Sequence, residues 1–280
     1  MSENIIEKNK KIFSLLSDYI NFTPDAICRE MVEDTAEYCH VSREEAFRIL
    51  ISGILDVYSD KVLMNGWIRK MFRLLLAENY EQDPYLQTVS LSHISSGRWE
   101  LTNESYKPYE LFVFNDPVRE FDGKLIPMVG YFQREYSFPC VKQGGREWML
   151  ITPNEIETMK RPIAKAFGDV VTYGLGLGYF PFMVSAKESV ESVTVIEKDE
   201  SIIRLFEKHL LWQFPFKEKI RIICADAFEY AARDYSHDFV FADIWHDPSD
   251  GVVAYKRLKA LEKEGVEYAY WIEDTLKLYM

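Results

Sequence analysis

Three glycines at alternate positions follow an apolar run in the second half of the sequence. The run Val170–Tyr173 is typical of a buried strand, and Gly174, Gly176 and Gly178 come directly after it, ahead of a helical pattern. Glycines there let the backbone turn tightly and pass close to a ligand. The alternative is a plain turn between strand and helix. A dinucleotide fingerprint would need glycine where Tyr179 stands, so the spacing argues against an NAD or FAD site.

Two acidic residues stand at the ends of the next two apolar runs. Glu197, 23 residues after Gly174, ends the second run, where a carboxylate can accept hydrogen bonds from both hydroxyls of a ribose. Asp226 follows the third run and can accept a hydrogen bond from an adenine amino group. Each has a structural alternative: Glu197 as a solvated strand-end carboxylate, and Asp226 as the N-cap of a helix over residues 227–233.

Polar groups are concentrated after the fourth apolar run, in the segment Asp243–Gly251. Open α/β sheets bind ligands at the carboxyl ends of their strands. The Asp243 carboxylate can take or orient a proton on an acceptor, and Asp247 offers a second carboxylate. His246 is a candidate base, since a neutral imidazole can accept a proton. The alternative is a turn in which Trp245 is a packing residue.

These residues need a sheet that brings the ends of its strands together. From residue 152 to residue 280, strand and helix patterns alternate, which predicts a parallel sheet with helical crossovers. A capping box from Thr152 to Glu155 is predicted to open the helix before the first strand. The predicted strands cover residues 170–173, 192–197, 220–224, 238–243 and 266–272.

Residues 1–108 are predicted to form a helical region. Ser42 to Glu45 has the pattern of a capping box, and it precedes an apolar stripe at helical spacing. A further helix is predicted over residues 61–78, and the Thr-, Ser-, Asn- and Gly-containing stretch 88–108 is expected to be irregular.

Residues 109–151 contain short runs of β-forming residues. Gly144-Gly145 separates the last two runs, as a two-residue hairpin turn requires. A small antiparallel β segment is therefore expected here. The expected domain organisation is a helical region, residues 1–108, then this segment, and then an α/β domain over residues 152–280.

Composition narrows the classes of function. The formal net charge of −12 disfavours non-specific nucleic-acid binding, and no apolar run approaches the length of a membrane span. The N-terminus is polar and lacks the apolar stretch of a secretory signal, so a cytoplasmic protein is expected. The four cysteines form no CxxC pair, and no metal site is predicted.

The four motifs, in this order, resemble the class I S-adenosylmethionine-dependent methyltransferase superfamily. The resemblance covers about residues 169–273, and it is carried by TYGLGLGYF, VIEKDE, ADAF and FADIWHD. It implies a Rossmann-like parallel sheet and S-adenosylmethionine as cofactor. It places Gly174, Gly176 and Gly178 against the methionine part and the ribose. It places Glu197 at the ribose hydroxyls, Asp226 with Ala227 at the adenine, and Asp243 on the catalytic side.

A spermidine-synthase-like branch of that superfamily is also similar. Its members carry a small β-domain before the nucleotide domain, and an aspartate followed by Asp-Pro after the fourth strand. Asp243 and Asp247-Pro248 match that pattern with one additional residue between them. Leu177 stands where those proteins carry an aspartate in the glycine loop, and Thr172 where many methyltransferases carry an acidic residue.

We therefore expect an enzyme, a methyltransferase that uses S-adenosylmethionine and acts on a small-molecule acceptor. Asp243, with His246 or Asp247, is the candidate for managing one proton during transfer. The alternatives are aminopropyl transfer and a non-catalytic nucleotide-binding protein of the same fold. The sequence shows no strand after the fifth, so a sheet without the family's last two strands is expected, its edge covered by residues 1–151 or by a second subunit in a homodimer.

Overall fold

The computed structural model describes residues 3–57, 67–233 and 236–280. It comprises two compact units, each built from two stretches of the chain. Unit 1 contains Met1–Tyr80 and Ser105–Ser137, and unit 2 contains Glu81–Glu104 and Phe138–Met280.

Helices and strands of both units are numbered in chain order. The α-helices are α1 (Glu3–Phe22), α2 (Arg29–Cys39), α3 (Arg43–Ile54), α4 (Arg69–Met71), α5 (Ala77–Glu81), α6 (Pro84–Thr88), α7 (Pro153–Lys165), α8 (Tyr179–Ser185), α9 (Glu200–His209), α10 (Ala227–Ala231), α11 (Pro248–Lys259) and α12 (Glu273–Leu276). The strands are β1 (Phe72–Leu74), β2 (Ile94–Ser96), β3 (Trp99–Tyr106), β4 (Phe112–Arg119), β5 (Leu125–Tyr131), β6 (Tyr136–Gln143), β7 (Arg146–Leu150), β8 (Gly168–Tyr173), β9 (Val190–Glu197), β10 (Ile220–Cys224), β11 (Phe239–Ala242) and β12 (Glu267–Tyr270).

Unit 1 packs the long helices α1, α2 and α3 with a three-stranded sheet of order β1-β5-β4. The Ser42 hydroxyl accepts a hydrogen bond from the Glu45 backbone N–H, so the predicted N-cap of α3 is confirmed. The apolar face of α3 places Phe47 in the core, where its ring stacks on Tyr131 of β5 at 4.0 Å between centroids. Aromatic stacking of this kind adds to the free energy gained by burying the rings.

Two element predictions in the N-terminal region are wrong. The helix predicted over residues 61–78 lies partly outside the described residues, and its described part contains β1, which pairs in parallel with β5 through Phe72 and Val129. The stretch 88–108, predicted to be irregular, forms the antiparallel hairpin β2–β3. In both cases strand pairing with a distant or neighbouring segment overrides the local pattern.

Unit 2 begins with an antiparallel sheet of order β2-β3-β6-β7. Gly144 and Gly145 connect β6 and β7 with φ of +58° and +81°, the backbone that a two-residue hairpin turn needs, which confirms that prediction. The strands of residues 109–151 thus belong to two sheets, because β4 pairs with β5 in unit 1 and β6 pairs with β7 in unit 2. For that reason the two compact units cut across the three consecutive segments expected from the sequence.

The second sheet of unit 2 is parallel and has the order β10-β9-β8-β11-β12. Counted along the chain this is third, second, first, fourth and fifth, the order of a Rossmann-like fold without a sixth strand. Each strand lies within a few residues of its predicted place, so the predicted α/β fold class is confirmed. The order reverses between β8 and β11, and the crevice outside the carboxyl ends at such a reversal is where open α/β sheets bind ligands.

No helix in residues 3–57, 67–233 and 236–280 has both the length and the apolar character needed to cross a membrane.

Candidate functional site

A cavity of about 420 Å³ opens at the carboxyl ends of β8, β9, β10 and β11 in unit 2. Most of the residues that the sequence singled out lie in its wall, because the four strands end side by side in a parallel sheet. The predicted site residues that line it are Gly174, Gly176, Glu197, Asp226, Ala227, Asp243 and His246. Gly178 and Asp247 do not line the cavity.

The glycine turn shapes one wall of this cavity. Gly174 has φ of +98°, and a Cβ atom there would overlap the backbone carbonyl oxygen of Asp243. Gly176 has φ of +50°, and a Cβ atom there would overlap the Met149 sulfur, which accepts a hydrogen bond from the Leu177 backbone N–H at 3.1 Å. The turn therefore needs glycine both for its left-handed backbone and for close contact with its neighbours.

Gly178 has a packing role at the start of α8. It is the residue before that helix, with φ of +76°, and a Cβ atom there would press on the rings of Phe206 and Phe214. The next residue, Tyr179, is buried, and its hydroxyl donates a 2.8 Å hydrogen bond to the Asp83 carboxylate. Burial raises the pKa of Asp83, and the hydrogen bond from Tyr179 opposes that shift.

We expect Tyr179→Phe to lower the free energy of unfolding by about 1.5–3 kcal/mol, the usual contribution of a hydrogen bond to a buried charged group. The substitution leaves the ring in place and removes only the hydroxyl that Asp83 accepts from. Urea unfolding measures the loss. The control is Tyr279→Phe, whose side chain is exposed. Equal unfolding midpoints for the two variants would contradict the prediction.

Glu197 ends β9 with its carboxylate beside the glycine turn. One oxygen accepts a hydrogen bond from the Leu175 backbone N–H at 3.3 Å, and the other accepts one from the Asp199 N–H at 2.9 Å. Each carboxylate oxygen can accept a second hydrogen bond. These two backbone donors hold the group still while leaving acceptor capacity on the cavity side, as a partner for ligand hydroxyls requires.

Asp226 combines both of the interpretations considered for it. Its Oδ1 accepts hydrogen bonds from the backbone N–H groups of Phe228 and Glu229, so it is the N-cap of α10. The same residue lines the cavity next to Ala227 and Phe228. The Arg257 guanidinium lies over the Phe228 ring, 3.8 Å from the ring centroid. This cation–π contact holds the ring at that end of the cavity.

Asp243 and Glu155 are two carboxyl groups in the same cavity. Burial raises the pKa of Asp243 to about 7. Burial and the charge of Asp243 raise the pKa of Glu155 far above its usual range. The predicted capping box at α7 is wrong, because Thr152 makes no capping hydrogen bond and Glu155 does not turn back to the helix start but lines the cavity.

His246 lines the cavity, with its ring held from two sides. The Asp250 carboxylate lies 3.0 Å from Nδ1, and the Trp148 ring meets the imidazole edge-on at 4.4 Å. Burial acts to raise the pKa of Asp250, but the hydrogen bonds from His246 and from backbone N–H groups outweigh it and leave that pKa below its usual range. With Nδ1–H donating to Asp250, Nε2 is the basic nitrogen.

Asp247 has a structural role, as a helix cap rather than in the turn that the sequence offered as the alternative. It is the N-cap of α11, where its carboxylate accepts a hydrogen bond from the Ser249 N–H, and Asp250 bonds back to the Asp247 N–H to complete a capping box. The residues of the cavity wall that sequence reasoning did not identify include Glu155, Met149 and Trp148. Glu155 was taken for a capping residue, and nothing in the local sequence sets apart the other two.

The part of the chain that the structure describes contains no group of three or more His, Cys, Asp or Glu side chains arranged to hold a metal ion.

Comparisons with known proteins find similarity only among solved structures. No protein-family model matches the sequence, and no curated protein matches it. The spermidine synthase from Thermotoga maritima is 17% identical over 47% of this chain and 48% of its own, with a TM-score of 0.33. The precorrin-8W decarboxylase of Methanobacterium thermoautotrophicum is 17% identical over 45% of this chain and 68% of its own, with a TM-score of 0.34.

The 23S rRNA methyltransferase ErmE is 19% identical over 34% of this chain and 40% of its own, with a TM-score of 0.24. The chain thus matches about half the length of the spermidine synthase and less of ErmE. Likeness at this level carries no argument about activity. The Rossmann-like fold of unit 2 rests on its own strand order.

Proposed function

We propose that unit 2 binds S-adenosylmethionine in the cavity and transfers its methyl group to a small-molecule acceptor. The observation that carries the proposal is the place of Glu197, a carboxylate with free acceptor capacity beside a glycine turn at the reversal of strand order. A volume of about 420 Å³ is within the range of cavities that hold small ligands.

The charge of the cavity favours a cationic nucleoside over a phosphorylated one. Carboxyl groups predominate in the wall, and a phosphate would be repelled by them. The titratable residues that line the cavity are Glu147, Glu155, Glu197, Lys198, Asp226, Asp243 and His246. A sulfonium nucleoside brings hydroxyl and amino donors and a positive charge, which suit these acceptors.

The residues divide the work of transfer among them. Bound S-adenosylmethionine supplies an activated methyl group on its sulfonium. Glu197 accepts from the ribose hydroxyls, while Asp226 and Ala227 lie at the adenine end. Asp243, in its ionised form, and Nε2 of His246 are the groups that accept a proton from the acceptor. Because the methyl group is already activated, alignment and one proton transfer are the tasks left to the protein.

The proposal is tested by calorimetric titration with S-adenosylmethionine, its decarboxylated form and NAD. We expect micromolar binding of S-adenosylmethionine and about a 100-fold loss of affinity in Glu197→Ala, since two hydrogen bonds to a charged group are removed. Glu197→Gln, which keeps the size of the side chain, should fall between. The control is Glu200→Ala, on the exposed surface of α9.

Each alternative has its own outcome in this experiment. Preference for the decarboxylated form would replace methyl transfer with aminopropyl transfer. Tight binding without transfer to any member of a broad acceptor panel would support a non-catalytic nucleotide-binding protein. Absence of binding to both sulfonium compounds would overturn the proposal.

A further inference from the structure

Glu155 is a buried carboxyl group that the protein itself does not satisfy. Its side chain is 5% exposed, it lines the cavity, and its Oε1 has no hydrogen-bond partner. Within residues 3–57, 67–233 and 236–280, no side chain or backbone N–H donates a hydrogen bond to the Asp243 carboxyl group either. Buried acceptors in native proteins nearly always have a partner, so the buried Oε1 of Glu155, beside a half-buried Asp243 carboxyl group without donors, points to a ligand that supplies them.

The surroundings of the pair contain little positive charge. Lys198, beside Glu197, is the only lysine or arginine among the described residues that line the cavity. The Tyr179 side chain, on α8 against α7, is close enough to Glu155 for the carboxyl charge to raise its pKa. The other titratable groups in the wall are Glu147, Glu197, Asp226 and His246. Two like-charged carboxylates in this setting repel each other and favour a cation between them.

We propose that Glu155 and Asp243 together form a binding site for a primary ammonium group of a ligand held in the cavity. An ammonium group brings three N–H donors on a compact charge, enough for Oε1 of Glu155 and for the Asp243 carboxylate. A sulfonium or quaternary ammonium has no N–H and leaves Oε1 unpaired. Among the described residues, no third His, Cys, Asp or Glu side chain joins the pair in a group arranged to hold a metal ion.

This inference deepens the proposed function and rests on it for the ligand's nucleoside part alone. The ammonium belongs either to the amino-acid part of the donor or to an acceptor that is itself an amine. In both cases the pair meets the same ammonium chemistry. Where the ammonium belongs to the donor, Asp243 is engaged with it and Nε2 of His246 is left as the group that accepts a proton from the acceptor. Without a bound cation, the pair retains a proton near neutral pH, because burial and mutual repulsion disfavour two charges. The ammonium replaces that proton, so its binding releases a proton to the solvent.

The test is calorimetric titration at pH 7 in two buffers of different ionisation enthalpy, which counts released protons. The probes are S-adenosylhomocysteine, which carries a primary amine, 5′-methylthioadenosine, which lacks one, and putrescine. We expect Glu155→Gln to weaken binding of an amine-bearing probe by on the order of 10- to 100-fold and to abolish its proton release, with 5′-methylthioadenosine unaffected. Asp243→Asn should do the same. Glu157→Gln, on the same helix and paired with Lys160, is the control.

The source of the amine follows from which probe is affected. Loss of S-adenosylhomocysteine binding assigns the pair to the donor, and loss of putrescine binding assigns it to the acceptor. If neither probe is weakened, or if the wild-type protein binds neither, the ammonium site is overturned even when 5′-methylthioadenosine binds. If no nucleoside binds but putrescine binding is lost in Glu155→Gln, the proposed function falls and the ammonium site stands.

Discussion

Gly174→Ala is expected to destabilise unit 2 by about 4 kcal/mol or to prevent its folding. The substitution places a side chain at a backbone with φ of +98°, which costs about 1–2 kcal/mol in itself. The new Cβ atom would also overlap the carbonyl oxygen of Asp243, a backbone atom rather than a flexible side chain. Neither partner can move freely, since the Gly174 N–H donates to Ile196 and the Asp243 N–H donates to Tyr173.

The control for this prediction is Gly97→Ala in the β2–β3 hairpin of the same unit. Gly97 has φ of +61°, and a Cβ atom there would meet nothing within 4 Å, so only the backbone strain of about 1 kcal/mol remains. For a chain of this size we expect the melting temperature to fall by roughly 10 °C for Gly174→Ala and by about 2–4 °C for Gly97→Ala. Equal melting temperatures would show that the contact with Asp243 is not tight.

The parallel sheet of unit 2 is the part of the fold that the sequence predicts best. The apolar run around Val171 predicts a buried strand, and the structure has one there. Glu197 stands at the end of the next strand, and Asp226 follows the third strand as the cap of a helix. Because neighbouring parallel strands end at one edge, strand positions alone bring these residues together. The predicted grouping of Gly174, Glu197, Asp226 and Asp243 around one cavity follows from that geometry.

Elements that depend on distant pairing could not be predicted in the same way. Phe72 lies in a stretch with helical spacing, and it becomes part of a strand only because β5, more than fifty residues away, offers an edge to pair with. Local propensity is a weak signal when such a partner exists. The grouping of β6 and β7 with unit 2 is of the same kind, since it is set by pairing with β3.

Within the site, the residues missed are those whose local pattern has a common structural explanation. Thr152 to Glu155 has the spacing of a capping box, and only the packed structure reveals that the Glu155 carboxyl group lies in the cavity. Asp247 shows the opposite case, because a residue chosen for its chemistry is a helix cap. Met149 carries no local signal, as its contact with the glycine turn spans 28 residues of sequence.

Neutralising the buried carboxyl pair is expected to stabilise the protein at alkaline pH. The pKa of Asp243 is raised to about 7 in the folded protein, and that of Glu155 is raised as well, whereas both have ordinary values in the unfolded chain. Between pH 4 and pH 7 the folded state therefore binds more protons than the unfolded state. The stability that these groups allow is fully present below their unfolded pKa values and falls as the pH rises through their folded values.

Asp243→Asn and Glu155→Gln should each raise the free energy of unfolding at pH 8 by on the order of 2 kcal/mol, or roughly 5 °C in melting temperature, and should have little effect at pH 4. The double variant should gain less than the sum, because removing either charge already relieves the repulsion felt by the other. The control is Asp274→Asn, an exposed carboxylate paired with Lys277 and Arg161, for which no such gain is expected.

Stability curves of the wild-type protein, the two single variants, the double variant and the Asp274→Asn control between pH 4 and pH 8 decide the matter. A gain at pH 8 that disappears at pH 4 would show that the pair carries uncompensated charge in the protein without ligand. A ligand site can lower the stability of a protein. If the pair is such a site, the same variants should gain stability and lose affinity for amine-bearing probes. Additive effects would mean that the two carboxyl groups do not interact. Curves parallel to that of the wild-type protein would mean that folding does not shift their pKa values. Either result would remove the electrostatic basis of the ammonium site.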